Sequence, residues 1–304
     1  GDGFGASFAS MSRSLVLALC AAGSVACSVP PPGSQMPNAQ AAIDRLRATT
    51  ACGNAIQAEA TIDHFGKERF RANLMLFAAR PARVRLDAMS SFVGTVGTLW
   101  SDGDRFAFDD RKNNRFLVGP SSACNIARLT RVPVPGSVLV DLLRGSAPIL
   151  KHEAQPTTIT WSGSGYYVVT LASTRDAREE LHVAPHPEDF GKPWSEQRLR
   201  VLDVQVWQKD VLLYHAELAG HAPAAMAKEQ PVDAEGQALG ETPVPVSGPQ
   251  CTADIARTLH VTVPALDEDV IFRYDKVTWN PPLPQSTFLP APTNAPMFEV
   301  KCDE

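Results

Sequence analysis

Residue types that could support catalysis or metal binding are present in this chain, but their spacing does not suit that chemistry. Ser164 sits between two glycines, yet the surrounding residues lack the G-x-S-x-G spacing of a hydrolase nucleophile and predict a hairpin turn. His182 and His186 have the spacing of helical ligands, but a proline on each side of His186 excludes a regular helix, so we expect surface loop histidines. The Asp-Glu-Asp run at 267–269 lacks the spaced oxygen ligands of a calcium loop. We therefore expect no enzyme: no catalytic residues, no metal ligands and no cofactor.

A charged residue, a short apolar segment, small residues and a cysteine follow one another near the start of the chain. Arg13 precedes the apolar residues 15–22, and the small residues 23–26 lead to Cys27. This layout predicts a secretory signal peptide over residues 1–26, because the apolar segment is shorter than the ~20 residues that span a bilayer. Within it, we expect residues 1–10 to be an extension ahead of a true start at the following methionine. A cysteine at this position predicts acylation of Cys27, as in bacterial lipoproteins; an ordinary secretory signal with an incidental cysteine is the alternative.

Cysteine usage agrees with an exported protein. Apart from Cys20 in the signal segment and Cys27, four cysteines remain: Cys52, Cys124, Cys251 and Cys302. An oxidising compartment would join them in two disulfides, and four cysteines allow three pairings. We favour the first with the second and the third with the fourth, so that the latter pair holds a proline-rich tail. No two of them have the C-x-x-C spacing of a zinc site.

The charge and length of the chain limit its partners. The formal net charge of the 304 residues is −5, and no basic run occurs, which argues against a nucleic-acid partner. A hydrophobic content of 44% is sufficient for a real core, and the length suits one large β domain or two small ones.

Hydrophobic periodicity predicts a mainly β chain. Residues 38–50 have helical spacing, and alternating strand patterns then follow through residue 118, with turn residues at each joint. Two helices are predicted over 121–129 and 137–143, and strands resume from residue 157. Together these patterns indicate a curved antiparallel sheet, an open half-barrel of about eleven strands, with a helical lid and an N-terminal helix. The expected divisions are a lipidated tether at 27–37, a half-barrel domain at 38–295 with a loop-like insertion at 221–256, and a C-terminal tail at 296–304.

Three groups of segments resemble the superfamily of periplasmic lipoprotein carriers and outer-membrane lipoprotein receptors, the LolA/LolB-like fold. The strand 81–87 followed by the loop 92–94 looks like the receptor's strand and protruding loop. The Val-Pro-Val-Pro run at 132–135, followed by a leucine-rich helix that ends at glycine, is similar to the receptor's helical lid. The segment 275–280 resembles its closing strand. The resemblance implies an open half-barrel with an apolar cavity for acyl chains.

The resemblance also implies roles for particular residues. Val93, beside Phe92, matches the exposed loop residue that inserts into the membrane or contacts cargo; packing of Phe92 into the barrel mouth is the alternative. Ten apolar residues are expected to line the cavity, unless they form an ordinary packed core: Phe70, Leu74, Leu76, Leu99, Phe106, Phe108, Ile126, Leu129, Leu139 and Leu143.

These expectations combine into one functional hypothesis. It is a lipid-anchored protein at the periplasmic face of the outer membrane that binds acyl chains or lipoproteins and receives them from a periplasmic carrier protein. Ser28, where an aspartate would mark inner-membrane retention, favours the outer membrane. The alternative is an assembly lipoprotein that docks a protein partner and carries no lipid, and a hydrolase ranks third.

Overall fold

The computed structural model covers most of the chain: it describes residues 1, 3, 28–67, 69–90, 94–173, 175–240 and 242–302, with 154–156 described by their backbone alone. Cys27, Phe92, Val93 and the signal segment from residue 4 onward lie outside the described residues. Of the helices in the described ranges, none has both the length and the apolar character that crossing a bilayer requires.

Strands dominate the described chain. In chain order they are β1 (Ala55–His64), β2 (Phe70–Ala79), β3 (Arg83–Ser90), β4 (Gly94–Ser101), β5 (Arg105–Asp110), β6 (Arg115–Pro120), β7 (His152–Ser162), β8 (Tyr166–Ser173), β9 (Ala177–Pro185), β10 (Leu199–Gln208), β11 (Val211–Ala219), β12 (Ala222–Pro223), β13 (Ala225–Met226), β14 (Asp254–Ile255), β15 (Thr258–Val263), β16 (Glu268–Trp279) and β17 (Met297–Glu299).

Four α-helices accompany the strands: α1 (Ala39–Thr49), α2 (Ala123–Thr130), α3 (Gly136–Leu143) and α4 (Ala234–Ala238). Helix α1 begins where expected, because the Asn38 side chain accepts a hydrogen bond from the Ala41 amide at 2.8 Å and so caps its first turn. The two lid helices form close to their predicted bounds. The sequence suggests Ser121 and Ser137 as their N-caps, but the N-cap residues are Ser122 and Pro135.

One large sheet contains almost all of the strands. Its order is β17-β6-β5-β4-β3-β2-β1-β16-β15-β11-β10-β9-β8-β7, and β13 pairs with the end of β16. Strand β16 joins the two meanders, because it pairs with β1 on one side and with β15 on the other. The sheet does not close, and β7 is an edge strand with a described partner on one side only. This agrees with the predicted open half-barrel.

The strand count and direction correct the prediction. The main sheet has fifteen strands rather than about eleven, and it is mixed, because β13 and β17 pair in parallel. Short strands of two or three residues carry too little alternation to be recognised by pattern. The segment 221–256, predicted as a loop, contributes three of these strands and the five-residue α4.

The inner face of the sheet and the helices share one core. The inward side chains of both meanders, Ile43 of α1, Ile126 of α2 and Leu139 of α3 belong to a single buried cluster. Removing this apolar area from water contributes about 25 cal/mol per Å² and holds the helices on the sheet. The helices therefore cover the concave face, as expected.

The disulfides differ from the expected pairing. Cys52 pairs with Cys251 and Cys124 pairs with Cys302, with Cα atoms 5.1 and 6.2 Å apart. The expectation of Cys52 with Cys124 and Cys251 with Cys302 is wrong. Asn280, at the end of β16, donates to the carbonyls of both Cys52 and Pro249, which brings the first pair together. The second pair meets because β17 lies beside β6, the strand that leads into α2.

Candidate functional site

The ten residues expected to line an acyl-chain cavity lie in or against the packed core. Seven of them are at most 2% exposed: Leu74, Leu76, Leu99, Phe106, Ile126, Leu139 and Leu143. The other three, Phe70, Phe108 and Leu129, pack against the same cluster while partly exposed. Of the ten, only Phe106 touches any of the concavities described below. The apolar faces of helices and sheet thus meet directly, and a ligand cavity lined by these residues remains a prediction.

A second apolar surface lies on the outer face of strands β2 to β6. Because side chains alternate along a strand, Trp100 points away from the core that holds its neighbour Leu99. Trp100, Ala107 and Phe116 form their own buried cluster. The middle parts of β4, β5 and β6 are therefore buried on both faces, and another segment must cover the outer one.

The cover is the C-terminal strap, which we define as residues 281–299. Phe288 of the strap packs with Ala55 and Ala79, and the Arg83 guanidinium lies 5.0 Å from the centre of its ring. Further on, the Phe116 amide donates to the strap carbonyl of Pro296 at 2.9 Å. The strap is held at both ends, by its covalent continuation from β16 and by the disulfide just beyond β17.

The register of β3, β4 and β5 places two different rows of side chains on the outer face beneath the strap, which forms the floor of the space described next. One row is polar: Thr98 lies opposite Asp87 on one side and Asp109 on the other. The next row is mostly apolar: Trp100 lies opposite Arg85 and Ala107. An amphipathic floor follows directly from the alternation of these strands.

The polar row borders the larger concavity, of about 810 Å³. Its floor includes Met75, Asp87, Met89, Thr98, Asp109 and Asn114, and strap residues 291–295 form its side. This volume falls within the roughly 300–1,000 Å³ typical of small-molecule sites.

The apolar row borders a smaller concavity, of about 310 Å³. Its lining is mainly apolar and includes Ala107, Phe116, Val118, Phe288, Leu289 and Met297. Trp100 lines both concavities. We call the two together the strap groove.

The Trp100 indole has an unpaired N–H that is buried beneath this groove. Trp100 is 5% exposed, and within the described chain its Nε1 has no hydrogen-bond partner. A buried tryptophan N–H usually finds a partner, and leaving one unpaired is costly. An acceptor on a bound molecule would satisfy it.

Charges at the polar end of the strap groove are balanced. Arg85 Nε donates to the Asp87 carboxylate at 2.9 Å, and Arg111 Nε donates to Asp109 at 3.0 Å. Each guanidinium retains further N–H groups for a ligand. A neutral or zwitterionic head group suits this end better than a multiply charged anion, because each arginine already has a carboxylate partner.

Two ionisable side chains lie inside the packed core, away from the strap groove. One Glu179 oxygen accepts from the Leu150 amide at 2.8 Å, and the other has no partner among the described residues. Burial raises the pKa of Glu179 to about 8, and the hydrogen bond from Leu150 opposes only part of that shift. Arg144 donates to the Gly53 carbonyl, and burial lowers the Arg144 pKa to about 10.

The residues considered first for chemistry take structural positions. Ser164 lies in the turn between β7 and β8, as expected. His186 lies in a loop, but His182 lies within β9 rather than in a loop, because the strand continues to Pro185. Asp267 occupies a turn before β16 with a φ of 56°.

Sequence analysis missed the strap groove. A signal was present, since Leu99-Trp100 and Phe116-Leu117 place apolar side chains on both faces of their strands. Such runs indicate strands covered on both sides. The proline-rich tail has no sequence pattern that predicts its packing on the outer face of these strands.

Comparison with known proteins shows a similarity of backbone fold alone. No family model matches the sequence, and no curated protein is significantly similar to it. Three solved structures are similar over most of the chain, each at 10% identity. A LolA-superfamily protein from Nitrosomonas europaea has a TM-score of 0.47, with 83% of this chain and 98% of that one covered. A DUF1329-family protein from Desulfovibrio piger has 0.47, with 82% and 96% covered. A domain described as outer-membrane lipoprotein-sorting, from Vibrio parahaemolyticus, has 0.45, with 83% and 96% covered. At this level of identity and overlap, the matches assign no activity.

Proposed function

We propose that this protein is a non-enzymatic envelope protein that binds the acyl chain of a lipid or lipoprotein in the strap groove. The observation that carries the proposal is the pairing of an apolar and a polar concavity at the unsatisfied Trp100 N–H. A molecule with an apolar chain and a polar head matches this arrangement end to end.

The groove suggests how such a ligand is held. The chain enters the apolar end beside Phe116 and Phe288, where each buried methylene contributes about 0.8 kcal/mol. Trp100 Nε1 is buried beneath the groove, so an ester or amide carbonyl accepts from it only after a local movement exposes that nitrogen. The head group then lies beside Arg85 and Arg111 at the open polar end.

We base the proposed cellular location of this protein on its signal segment. Acylation of Cys27 would anchor it, and a proline-rich tether would hold the folded domain off the bilayer. We place it at the periplasmic face of the outer membrane, where it receives cargo from a periplasmic carrier protein. Phe92 and Val93 remain the proposed loop for insertion into membrane or cargo.

A test measures binding of a fluorescent fatty acid and of an acylated peptide to the purified chain. Trp100→Phe removes the N–H donor together with part of the ring, and should weaken binding at least roughly 2- to 10-fold, the loss expected for one hydrogen bond. Trp207→Phe is the matched control, because Trp207 also lies on this sheet but stacks on Arg178, with its ring centre 4.2 Å from that guanidinium. Equal weakening by both variants, or no binding to the unmodified chain, would contradict the proposal.

One observation favours a second candidate function. The inner face is filled by its own side chains, and β7 offers an edge strand with one described partner. An assembly lipoprotein that docks a protein segment at this edge, without lipid cargo, fits those two facts. Native mass spectrometry separates the candidates, since a stoichiometric acyl ligand on the purified chain supports lipid binding and a ligand-free mass without uptake supports docking.

A further inference from the structure

A row of histidines and carboxylates crosses the outer face of the other half of the sheet. The register places His182 of β9 opposite Asp203 of β10, and Asp203 opposite Glu217 of β11. Glu217 in turn lies opposite His260 of β15. His215 lies two residues before Glu217 on β11, so its side chain points to the same face. Four neighbouring strands thus bring five polar residues together.

Three of these residues converge closely. The potential ligand atoms of Asp203, His215 and Glu217 all lie within 4.8 Å of one another. His215 Nε2 contacts the Asp203 carboxylate directly. The side chains are 13%, 26% and 54% exposed, respectively, so the cluster is partly buried yet open to an ion from solution.

The two opposed carboxylates of this cluster favour a bound cation. Directly opposed like charges destabilise a sheet, and Asp203 faces Glu217 in this way. Within the described residues, neither carboxylate forms an ion pair with a lysine or arginine, and their side-chain partners in these pairs are histidines. Elsewhere on the same face, Glu59 is paired with Lys276. A bound cation between the opposed carboxylates would remove the repulsion.

A second layer of hydrogen bonds holds the two carboxylates in place. Gln205 Nε2 donates to Asp203 Oδ1 at 2.9 Å. His260 Nδ1 lies 3.0 Å from Glu217 Oε2, and its other ring nitrogen lies 2.8 Å from Asp269. Such outer contacts orient ligands and are typical of metal sites.

We propose that Asp203, His215 and Glu217 bind one divalent transition-metal ion, represented here by zinc. An imidazole with two carboxylates suits zinc and its neighbours better than calcium or magnesium, which prefer oxygen ligands alone. Three protein ligands leave a further position open to water. Sequence analysis found no metal ligands because the three residues come from two strands and meet only through their register.

The test is calorimetric titration of the full chain with zinc chloride after alkylation of free thiols, since Cys20 and Cys27 also have affinity for zinc. We expect one saturable site per chain, no competition by calcium, and at least tenfold weaker binding by His215→Gln. His260→Gln, which removes an outer contact, should weaken binding by about 10- to 100-fold. His186→Gln is the matched control, because His186 also faces a carboxylate, Asp254 at 3.2 Å, but Arg198 lies beside it there.

The zinc titration can either support or overturn the proposed metal site. Absence of saturable zinc binding to the unmodified chain would overturn the proposal, as would equal losses from His215→Gln and His186→Gln. Should His215→Gln fail to fold by circular dichroism, Glu217→Gln replaces it, because Glu217 is the most exposed of the three ligands. A zinc-dependent rise in melting temperature that this variant loses would support the site.

Discussion

Replacing Glu179 by glutamine should change how the stability of this protein depends on pH. Glu179 lies in β9, is fully buried, and faces the core with one oxygen bonded to the Leu150 amide and the other unpaired. Burial disfavours its charged form and raises its pKa from 4.5 to about 8. Glutamine has nearly the same shape and keeps an acceptor for the Leu150 amide, but it does not titrate.

The direction in which stability changes with pH follows from the raised pKa of the Glu179 carboxyl. Below pH 4.5 the carboxyl is protonated in both states, and its contribution to stability is fully present. As pH rises from 4.5 to about 8, the unfolded chain releases the proton while the folded chain retains it, so stability falls. At about 1.4 kcal/mol per pKa unit, the loss approaches a ceiling of about 5 kcal/mol by pH 8.

The free energy of unfolding can be measured at pH 5, 6.5 and 8 by urea unfolding with the disulfides intact, followed by tryptophan fluorescence. The unmodified chain should lose stability relative to Glu179→Gln as pH rises, and the variant should be the more stable of the two at pH 8. Glu59→Gln is the control, because Glu59 is half-exposed and paired with Lys276 at the surface. A constant difference in the free energy of unfolding between the unmodified chain and Glu179→Gln from pH 5 to pH 8 would refute the reasoning.

The remaining predictions concern the segments that lie outside the described residues. Cys27→Ala should move the protein from the membrane fraction to the soluble fraction and abolish palmitate labelling, because the acyl anchor is lost; persistent membrane association would exclude the lipid anchor. Phe92→Glu combined with Val93→Glu should preserve the melting temperature while reducing transfer of an acylated peptide to vesicles, because charges at a loop tip oppose insertion. Unfolding of that double variant would instead assign the pair to the core.

Local patterns predicted the elements of this protein well. Alternation and turn residues indicated the meander of β1 to β6, and the change to helical spacing indicated α2 and α3 between two groups of strands. Helical spacing over 38–50 indicated α1. Such features depend on neighbours a few residues apart, which the sequence displays directly.

Contacts between distant segments were not predictable in the same way. Cys52 is separated from Cys251 by 199 residues, and Cys124 from Cys302 by 178. Their pairing depends on β16 lying beside β1 and on β17 lying beside β6. No local pattern encodes these neighbours, so the expected pairing of Cys52 with Cys124 and of Cys251 with Cys302 was wrong.

The sequence by itself determined which faces are apolar, where helices replace strands, and that four cysteines after Cys27 are available for disulfides. Tertiary structure decided what meets those faces. The inner face is filled by the helices, and the outer face of β2 to β6 is covered by the strap, which leaves the strap groove beside Trp100. Register across β10 and β11 likewise decided that Asp203 and Glu217 face each other. The physical reason is that alternation fixes only the face to which a side chain points, while its partners depend on strand order and register.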